Sequence, residues 1–519
     1  MCGIIAKPAV YDTPTSLISY RGPDATLKAS VNDYVFTFHR LAIMDITHSG
    51  DQPFINDHWV VMCNGEIFNH EKLRLQYPYA YVSHSDCEVL LPLLDRHNIK
   101  EICHILDGEF AFVAYDKKNN YLLAGRDPMG IRPLFYGLCH NGQIAFASEM
   151  KELLDCCAQI YPFPPGHYYD GKNFIPYLEL YTINEIKHKE MPEILNNIQN
   201  LLVAAVVKRL HADVPIGYLL SGGLDSSLVC SIAAKHLKKP IDTFAIGLDY
   251  NPIDLKYAKQ MADYLGTNHH EVIFNKQDIL DTLKTIIWVT ETWDVTTIRA
   301  SLPMYLLCKY IRNNTNVRVV LSGEISDELF GYKYTDFAPS ADEFQLESQK
   351  RIKELYMYDG LRADRCISSN SLEARVPFSD KDFISYVMSI DPQLKLNKYN
   401  MGKYLLRKAF DNQEYLPHEI LWRDKAAFSD AVGHGLVDCL IELAQIRYTD
   451  AEFNEKVKLY TINPPLTKEG LMYREIFNEC FPKQEHVISG YWLPNQSWPN
   501  CKLSDPSARH LPNYGASGV

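Results

Sequence analysis

The sequence lacks the cysteine patterns that define two large classes of proteins. None of its 13 cysteines forms a Cys-x-x-Cys pair, and an odd number cannot pair completely. This usage argues against a disulfide framework and against a zinc cluster. It favours reduced thiols, and we therefore expect a cytoplasmic protein.

The chain also lacks long apolar runs and an excess of basic residues. No run approaches the roughly 18 apolar residues that a membrane span needs, so we expect neither a transmembrane helix nor a signal peptide. The 52 basic residues are outnumbered by 64 acidic ones, which gives a formal net charge of -12. Such a charge repels a phosphate backbone. Nucleic acids and membranes are therefore not expected as partners.

What the sequence does have is enough apolar material for two hydrophobic cores. The 519 residues are 46% hydrophobic and 22% charged, a composition that excludes intrinsic disorder. A chain of this length predicts two domains of roughly 180 and 300 residues.

The pattern of apolar and turn residues changes near residue 190. Before it, short apolar segments at 34–38, 59–63, 110–115, 121–124 and 143–147 are separated by turn residues, which predicts layered sheets. After it, a helical pattern at 193–210 is followed by alternating strands (214–220, 243–248, 271–274) and helices (226–237, 257–265). This alternation predicts a parallel α/β sheet. Residues 345–480 read as mostly helical, and the last forty or so as an irregular tail.

Cys2 directly follows the initiator methionine. Because cysteine is small enough for Met1 to be trimmed, we expect the mature chain to begin with Cys2. A free α-amino group titrates near pH ~8, so it can accept the thiol proton when cysteine attacks an amide carbonyl. The position therefore indicates an N-terminal nucleophile.

Other residues of the first half could serve such a reaction. Asn64 and Gly65 follow an apolar strand and could donate hydrogen bonds to an oxyanion. Arg40 could hold a carboxylate, while Glu66 and Asp86 could hold an ammonium group. Together these groups match an amino-acid substrate with a side-chain amide.

This arrangement resembles the class II glutamine amidotransferase domain of asparagine synthetases, which also carries R-G-P-D (21–24), D-G-E-F-A-F (107–112) and D-P-M-G-I-R-P-L-F (127–135). The resemblance implies an Ntn-hydrolase αββα sandwich with Cys2 as nucleophile. It also implies an oxyanion hole at Asn64 and Gly65, and glutamine binding by Arg40, Glu66 and Asp86. The family usually has histidine where this chain has Tyr20, so Tyr20 receives no role.

A second motif lies at the start of the second half. The run S-G-G-L-D-S-S at 221–227 follows an apolar strand and precedes a helix. Two glycines and the helix N-terminus favour phosphate, and Asp225 suits Mg²⁺ bound to phosphates. No G-K-[ST] follows the glycines, so this is not a Walker A loop.

A third motif, S-G-E-I-S-D-E at 322–328, ends another apolar strand. Asp327 is a candidate second Mg²⁺ ligand, and Glu324 could steer or deprotonate incoming ammonia. Family members commonly have glycine where Ile325 stands. Because a β-branched residue does not adopt a positive φ comfortably, the backbone there is either ordinary or strained.

The second half resembles the PP-loop ATP pyrophosphatases, which cleave ATP between its α- and β-phosphates and pass AMP to a carboxylate or carbonyl. Further matches are T-F-A-I-G-L (243–248), L-G-T-N-H-H-E (265–271), T-T-I-R-A-S (296–301), S-L-E-A-R-V-P-F (371–378) and W-R-D-K (422–425). The resemblance implies a parallel-sheet α/β PP-loop domain with added helices, and Lys425 as the group that neutralises the departing pyrophosphate. It assigns ATP binding to Leu219, Ser221, Gly222, Gly223, Asp225, Ser226, Ser227, Ile246, Ser322 and Gly323.

Both resemblances imply glutamine-dependent synthesis of asparagine from aspartate and ATP, with Mg²⁺, through a Cys2 thioester and a β-aspartyl-AMP intermediate. We expect a glutaminase domain at 2–182, a linker at 183–192, a synthetase domain at 193–482 and a tail at 483–519. An apolar ammonia passage is expected near Arg21 and 374–376. A homodimer is compatible with the resemblance.

Two alternatives stay open at this point. One is a related amidotransferase or lactam-forming synthetase that acts on another carboxylate; lactam-forming relatives usually lack the nucleophilic cysteine. The other is a non-catalytic regulatory homologue, whose expected mark is loss of Cys2, Asp225 or Asp327. All three residues are present, which favours the enzyme.

Overall fold

A computed structural model describes residues 1–183, 185–250, 252–412, 414–423 and 435–514. The proposed phosphate-neutralising residue, Lys425, lies outside the described residues. The described part of the chain contains three β-sheets, two antiparallel in the first half and one parallel in the second.

The first sheet has the strand order β10-β8-β9-β1-β3-β2. Its strands are β1 Gly3–Pro8, β2 Ala25–Val31, β3 Tyr34–Arg40, β8 Phe135–Cys139, β9 Ile144–Ala147 and β10 Cys157–Pro162.

The second sheet has the strand order β12-β11-β7-β6-β5-β4. Its strands are β4 Phe54–Ile55, β5 Trp59–Ile67, β6 Gly108–Asp116, β7 Tyr121–Arg126, β11 His167–Tyr169 and β12 Phe174–Pro176.

The two antiparallel sheets stack face to face. A fully buried core between them joins Ile4 and Phe38 of the first sheet to Met62 and Val113 of the second. The other face of the second sheet is covered by α1 His70–Gln76, α2 Leu90–Leu94 and α3 Ile99–Ile105. The predicted αββα-type sandwich is thereby confirmed.

The parallel sheet of the second half has the strand order β15-β14-β13-β16-β17. Its strands are β13 Ile216–Leu219, β14 Asp242–Leu248, β15 Asn268–Phe274, β16 Val319–Leu321 and β17 Glu373–Arg375. The central strands are buried apolar runs, as expected where helices cover both faces.

The helices of the second half alternate with these strands and then continue beyond the sheet. They are α4 Met191–Lys208, α5 Leu224–Leu237, α6 Ile253–Leu265, α7 Lys276–Thr290, α8 Val295–Asn314, α9 Ser326–Phe330, α10 Ala341–Glu354, α11 Asp359–Ser368, α12 Lys381–Met388, α13 Pro392–Lys395, α14 Tyr404–Ala409, α15 His418–Leu421, α16 Gly435–Arg447, α17 Asp450–Val457 and α18 Lys468–Cys480.

Most predicted elements are present, but some boundaries differ. Strand β5 does not end before Asn64, because its pairing with β6 continues to Ile67 opposite Gly108. Asn64, Gly65 and Glu66 therefore lie within a strand, which fixes their backbone more firmly than a turn would. Helix α4 starts at Met191, before the predicted start at residue 193.

A buried ionic network joins the two halves. Arg21 contacts Glu149 at 2.7 Å and Asp364 at 2.9 Å. Arg365 contacts Glu149 at 2.8 Å, and the Tyr20 hydroxyl donates to the same carboxylate at 2.6 Å. Tyr20, for which no role was predicted, thus belongs to the contact between α11 and the first half.

Among the described residues, we find no helix that combines the length and the apolar character required to cross a lipid bilayer.

Two candidate reaction centres

Cys2 lies at the start of the central strand pair of the first sheet. Its Sγ atom accepts a hydrogen bond from the Leu41 N–H at 3.5 Å, and its carbonyl oxygen accepts one from Arg21 Nε at 2.9 Å. The residue is half-buried, and this burial raises the pKa of the Cys2 thiol to about 11. The thiol is therefore protonated at neutral pH and needs a proton acceptor to become a nucleophile.

Met1 occupies the space beside Cys2 on the side of the second half. Its ammonium group donates to the Leu372 carbonyl oxygen at 2.9 Å, and its side chain contacts Arg132. Burial lowers the pKa of the Met1 amine to about 5. An amine in this setting is largely neutral at pH 7.

Asn64 presents a polar group that nothing in the described part of the chain satisfies. Its side chain is fully buried, and neither Oδ1 nor Nδ2 has a hydrogen-bond partner. Buried amides are normally paired, so this side chain is available to a ligand. The neighbouring Gly65 has no room for a side chain, because a Cβ atom would lie 2.3 Å from the Glu109 carbonyl oxygen.

The acidic residues assigned to glutamine binding lie close together. Glu66 forms an ion pair with Arg375 at 3.3 Å, and Asp86 accepts a hydrogen bond from the Ile67 N–H at 2.6 Å. Burial raises the pKa of both carboxyl groups, and the negative charge of Asp86 contributes to the shift at Glu66. An ammonium group placed between them would relieve this repulsion.

Arg40 is buried beside the same site, but its guanidinium group holds a loop. It contacts Asp51 at 2.6 Å and donates to the Thr47 carbonyl oxygen at 2.5 Å and to that of Asp45. Its role in positioning the 45–51 loop was not predicted from the sequence.

The glycine-serine loop of the second half packs tightly against its neighbours. Gly222 has a φ of +72°, and a Cβ atom there would lie 2.5 Å from the Ala258 backbone nitrogen. A Cβ atom at Gly323 would lie 2.7 Å from the Ser226 backbone nitrogen. The loops 221–227 and 322–328 therefore touch each other, as the two motifs predicted.

A cavity of about 260 Å³ lies where these loops meet, close to the ~300 Å³ lower end of small-molecule sites. Gly222 and Ser227 do not line it: Gly222 faces α6, and Ser227 is fully buried. The predicted ATP, ammonia and metal residues that line the cavity are Leu219, Ser221, Gly223, Asp225, Ser226, Ile246, Ser322, Gly323, Glu324 and Asp327.

The two predicted metal ligands converge on one cation. Lys403 Nζ lies 2.8 Å from Asp225 and 2.7 Å from Asp327. Both carboxylates therefore face the same point, where a positive charge lies. Their oxygen atoms are ligands of the kind Mg²⁺ prefers. Lys403 was missed by sequence reasoning, because it lies in no motif and reaches the site only through the fold.

Glu324 is already engaged by a buried arginine. Arg362 contacts both Glu324 and, at 3.1 Å, Asp359. Burial alone would lower the pKa of Arg362, but these two carboxylates outweigh it and hold that pKa well above its usual value. The Glu324 carboxylate thus has a fixed direction along the cavity wall.

The backbone at Ile325 is strained, which was one of the two conformations left open by the sequence. Its φ is +82° and its side chain is buried. A β-branched residue in this region is strained by about 1–3 kcal/mol, and it places the helix that carries Asp327. The strained alternative is therefore the correct one.

Strand β17 connects the two centres. Arg375 pairs with Glu66 of the first centre, and its carbonyl oxygen accepts from the Ser322 N–H of the second at 3.1 Å. Arg132 donates to the Ala374 carbonyl oxygen at 2.7 Å. The residues predicted to flank an ammonia passage, Arg21 and 374–376, lie in this region.

Comparison with known proteins finds two domain families along the chain. The glutamine amidotransferase domain family matches residues 1–208, and the asparagine synthase family matches 197–345 and 335–505. A probable glutamine-hydrolysing asparagine synthetase of Dictyostelium discoideum is 41% identical over 98% of both chains. A probable one of Schizosaccharomyces pombe is 41% identical over 100% of both chains. The asparagine synthetase of Homo sapiens is 40% identical over 96% of this chain and 95% of its own. With this likeness along nearly its whole length, the chain belongs to the family of glutamine-hydrolysing asparagine synthetases.

Proposed function

We propose that the chain makes asparagine from aspartate, using glutamine as nitrogen donor and ATP as activator. The glutaminase reaction takes place at Cys2 within residues 2–182, and the ATP-dependent reaction takes place in the cavity where the 221–227 and 322–328 loops of the 193–482 domain meet. Glutamine, aspartate and ATP are the partners this requires.

The glutaminase step starts when Met1 has been removed. The new α-amino group of Cys2 takes the thiol proton, and the thiolate attacks the side-chain amide of glutamine. The unpaired Asn64 amide and the Gly65 N–H stabilise the oxyanion. Glu66 and Asp86 hold the substrate ammonium group, and Arg40 lies beside its carboxylate. The α-amino group passes that proton to the amide nitrogen, the C–N bond breaks and ammonia leaves, and water later hydrolyses the thioester to glutamate.

The synthetase step takes place in the cavity. ATP lies on the 221–227 loop, and the aspartate side-chain carboxylate attacks its α-phosphorus to give β-aspartyl-AMP and pyrophosphate. Asp225 and Asp327 would hold Mg²⁺, which when bound neutralises phosphate charge. The Lys403 ammonium group then turns from these carboxylates towards the leaving pyrophosphate. Lys425 adds a second positive charge. Ammonia guided by Glu324 then attacks the acyl carbon of the mixed anhydride, the bond from that carbon to the phosphate oxygen breaks, and asparagine and AMP leave.

Ammonia must reach the second centre before water protonates it. The path runs past β17, where Arg21 and residues 374–376 separate the two centres. Shielding by the buried contact between the halves keeps the ammonia neutral and therefore nucleophilic.

The convergence of Asp225, Asp327 and Lys403 at the wall of a cavity formed by two glycine-serine loops carries this proposal. A non-catalytic regulatory homologue would not need two carboxylates in contact with a lysine at this position. Retention of the complete Cys2 site favours a glutamine-using synthetase over a lactam-forming one.

The test is the nucleotide product. Purified protein given aspartate, glutamine, ATP and Mg²⁺ should form asparagine, AMP and pyrophosphate in equal amounts, and mass spectrometry should show Cys2 as the first residue. Formation of ADP and phosphate, or the same AMP yield when glutamate replaces aspartate, would contradict the proposal.

A further inference from the structure

Three buried cysteines meet at the edge of the first sheet, away from both reaction centres. Cys139 ends β8 and lies opposite Cys157, the first residue of β10, while Cys156 precedes it in the chain. Cys157 Sγ is 3.7 Å from that of Cys139 and 3.6 Å from that of Cys156. All three sulfur atoms lie within 4.8 Å of one another.

The spacing of the sulfur atoms limits the states open to such a cluster. A disulfide would bring two of them to about 2.05 Å. Two thiolates on one tetrahedral ion, at a metal–sulfur distance of about 2.3 Å, lie about 3.8 Å apart. The observed separations of 3.6 and 3.7 Å exclude a disulfide and are close to this second distance, which reduced thiols in contact also show; little movement is therefore needed for the sulfur atoms to share one ion.

The surroundings are adapted to the sulfur atoms. A Cβ atom at Gly137 would lie 2.8 Å from Cys157 Sγ, so glycine makes room for it. Lys7 is buried nearby and pairs with Asp155, the residue before Cys156, at 3.3 Å, so a cation lies beside the cluster.

We propose that Cys139, Cys156 and Cys157 bind one thiophilic divalent cation of the Zn²⁺ class, with water as the fourth ligand. Soft thiolate ligands select such ions. Local motifs could not reveal the site, because residues 139 and 156 are joined only by the pairing of β8 with β10.

The ion would fix an edge strand at the contact between the two halves. β10 pairs only with β8 among the described strands, and its outer side is bonded to the segment after α18. Gln484 accepts from the Ile160 N–H at 3.1 Å, and His486 bonds to the Ile160 carbonyl oxygen at 3.0 Å. A bound ion would thus stabilise β10 between the first sheet and this segment, without taking part in catalysis.

The test uses the full-length protein, stripped with a chelator under reducing, oxygen-free conditions and then titrated with Co²⁺ as a spectroscopic substitute for Zn²⁺. We expect about one cobalt per chain, with intense sulfur-to-cobalt charge-transfer absorption. Zinc should compete with cobalt and raise the thermal unfolding midpoint.

Cys139→Ser and Cys157→Ser should lose this absorption and the zinc-dependent rise in the unfolding midpoint. Cys103→Ser is the matched control, because Cys103 is also buried but lies outside the cluster, and it should keep both. Absence of the absorption in the wild-type protein, which does not depend on any variant folding, would overturn the proposal. The same absorption in Cys139→Ser, or a Cys139–Cys157 disulfide in the protein as purified, would overturn it too.

Discussion

Asn64 is the single residue whose environment points most clearly to a ligand. Its buried amide has no hydrogen-bond partner, which destabilises the folded state without stabilising any contact. We expect Asn64→Ala to lower glutaminase kcat by about 100–1,000-fold, as loss of an oxyanion donor does elsewhere. Since no hydrogen bond is lost, the unfolding midpoint should change little. Steady-state glutamate release and thermal unfolding measure the two effects, and a large loss of stability with normal glutaminase activity would refute this role.

Ile325 allows a test of backbone strain within the second centre. At an ordinary helical position, alanine is more stable than glycine. At a φ of +82° the order should reverse, with Ile325→Gly more stable than Ile325→Ala by about 1 kcal/mol. Both variants lose the same buried side chain, so the comparison isolates the backbone. Urea unfolding of the pair measures it; if the alanine variant were the more stable, the residue would not be strained.

The candidate site residues that could be predicted from the sequence are those that belong to a local motif. Cys2 was found from its place behind Met1, and Asp225 from the loop that contains it. Lys403 and Arg362 were missed, since their partners lie at 225, 324 and 327 and only the fold brings them together. Ile325 was noticed, but its conformation follows from packing that no pattern contains.

At the scale of elements, α11 stabilises the contact between the halves. Its Arg365 pairs with Glu149 and Glu291, each at 2.8 Å, and all three are fully buried. Burial alone would raise the pKa of Glu149, but Arg365, Lys151 and Arg21 hold it well below its usual value. The carboxylates therefore depend on these cations.

We expect Arg365→Met to destabilise the protein by about 3–5 kcal/mol, because it leaves buried carboxylates without a partner. The matched control is Lys458→Met, since Lys458 forms an exposed pair with Glu455, and it should show no measurable change. Urea unfolding measures both. Equal midpoints for Arg365→Met and the wild type would mean that the network does not hold the halves together.

The strands were easier to predict than their ends. Apolar residues at 59–63 revealed β5, whereas the polar Asn64 and Glu66 looked like a turn. Their strand conformation comes from pairing with β6, a long-range contact that local propensity does not report. Parallel strands β13, β14 and β16 were recognised because burial on both faces makes them continuously apolar.

At the scale of the whole molecule, the segment after α18 closes the second centre. Trp492 and residues 506–508 line the cavity. The Trp492 ring stacks on Tyr358 at 4.4 Å, and its backbone N–H donates to Asp294 at 2.7 Å. Asp505 pairs with Arg299 at 2.8 Å. From the sequence we predicted an irregular tail here, because a segment without helix or strand, held only by side-chain contacts, has no periodic pattern.

We expect Trp492→Ala to lower synthetase kcat/KM by about 100-fold through misplacement of bound substrates, while glutamine hydrolysis is unchanged. The exposed tail residue Lys502 provides a control, and Lys502→Ala should leave both reactions intact. Pyrophosphate release and glutamate release measure them separately. An equal fall in both reactions would point to general unfolding in place of a role at the cavity.

The central claim is that one chain holds two separable reaction centres, and comparison of nitrogen donors in Cys2→Ala tests it most directly. Asparagine formation is measured with glutamine and then with ammonium, each with aspartate, ATP and Mg²⁺. The account predicts that the variant loses synthesis from glutamine but keeps synthesis from ammonium at the wild-type rate. Undiminished synthesis from glutamine, or loss of synthesis from both donors in a folded variant, would contradict it.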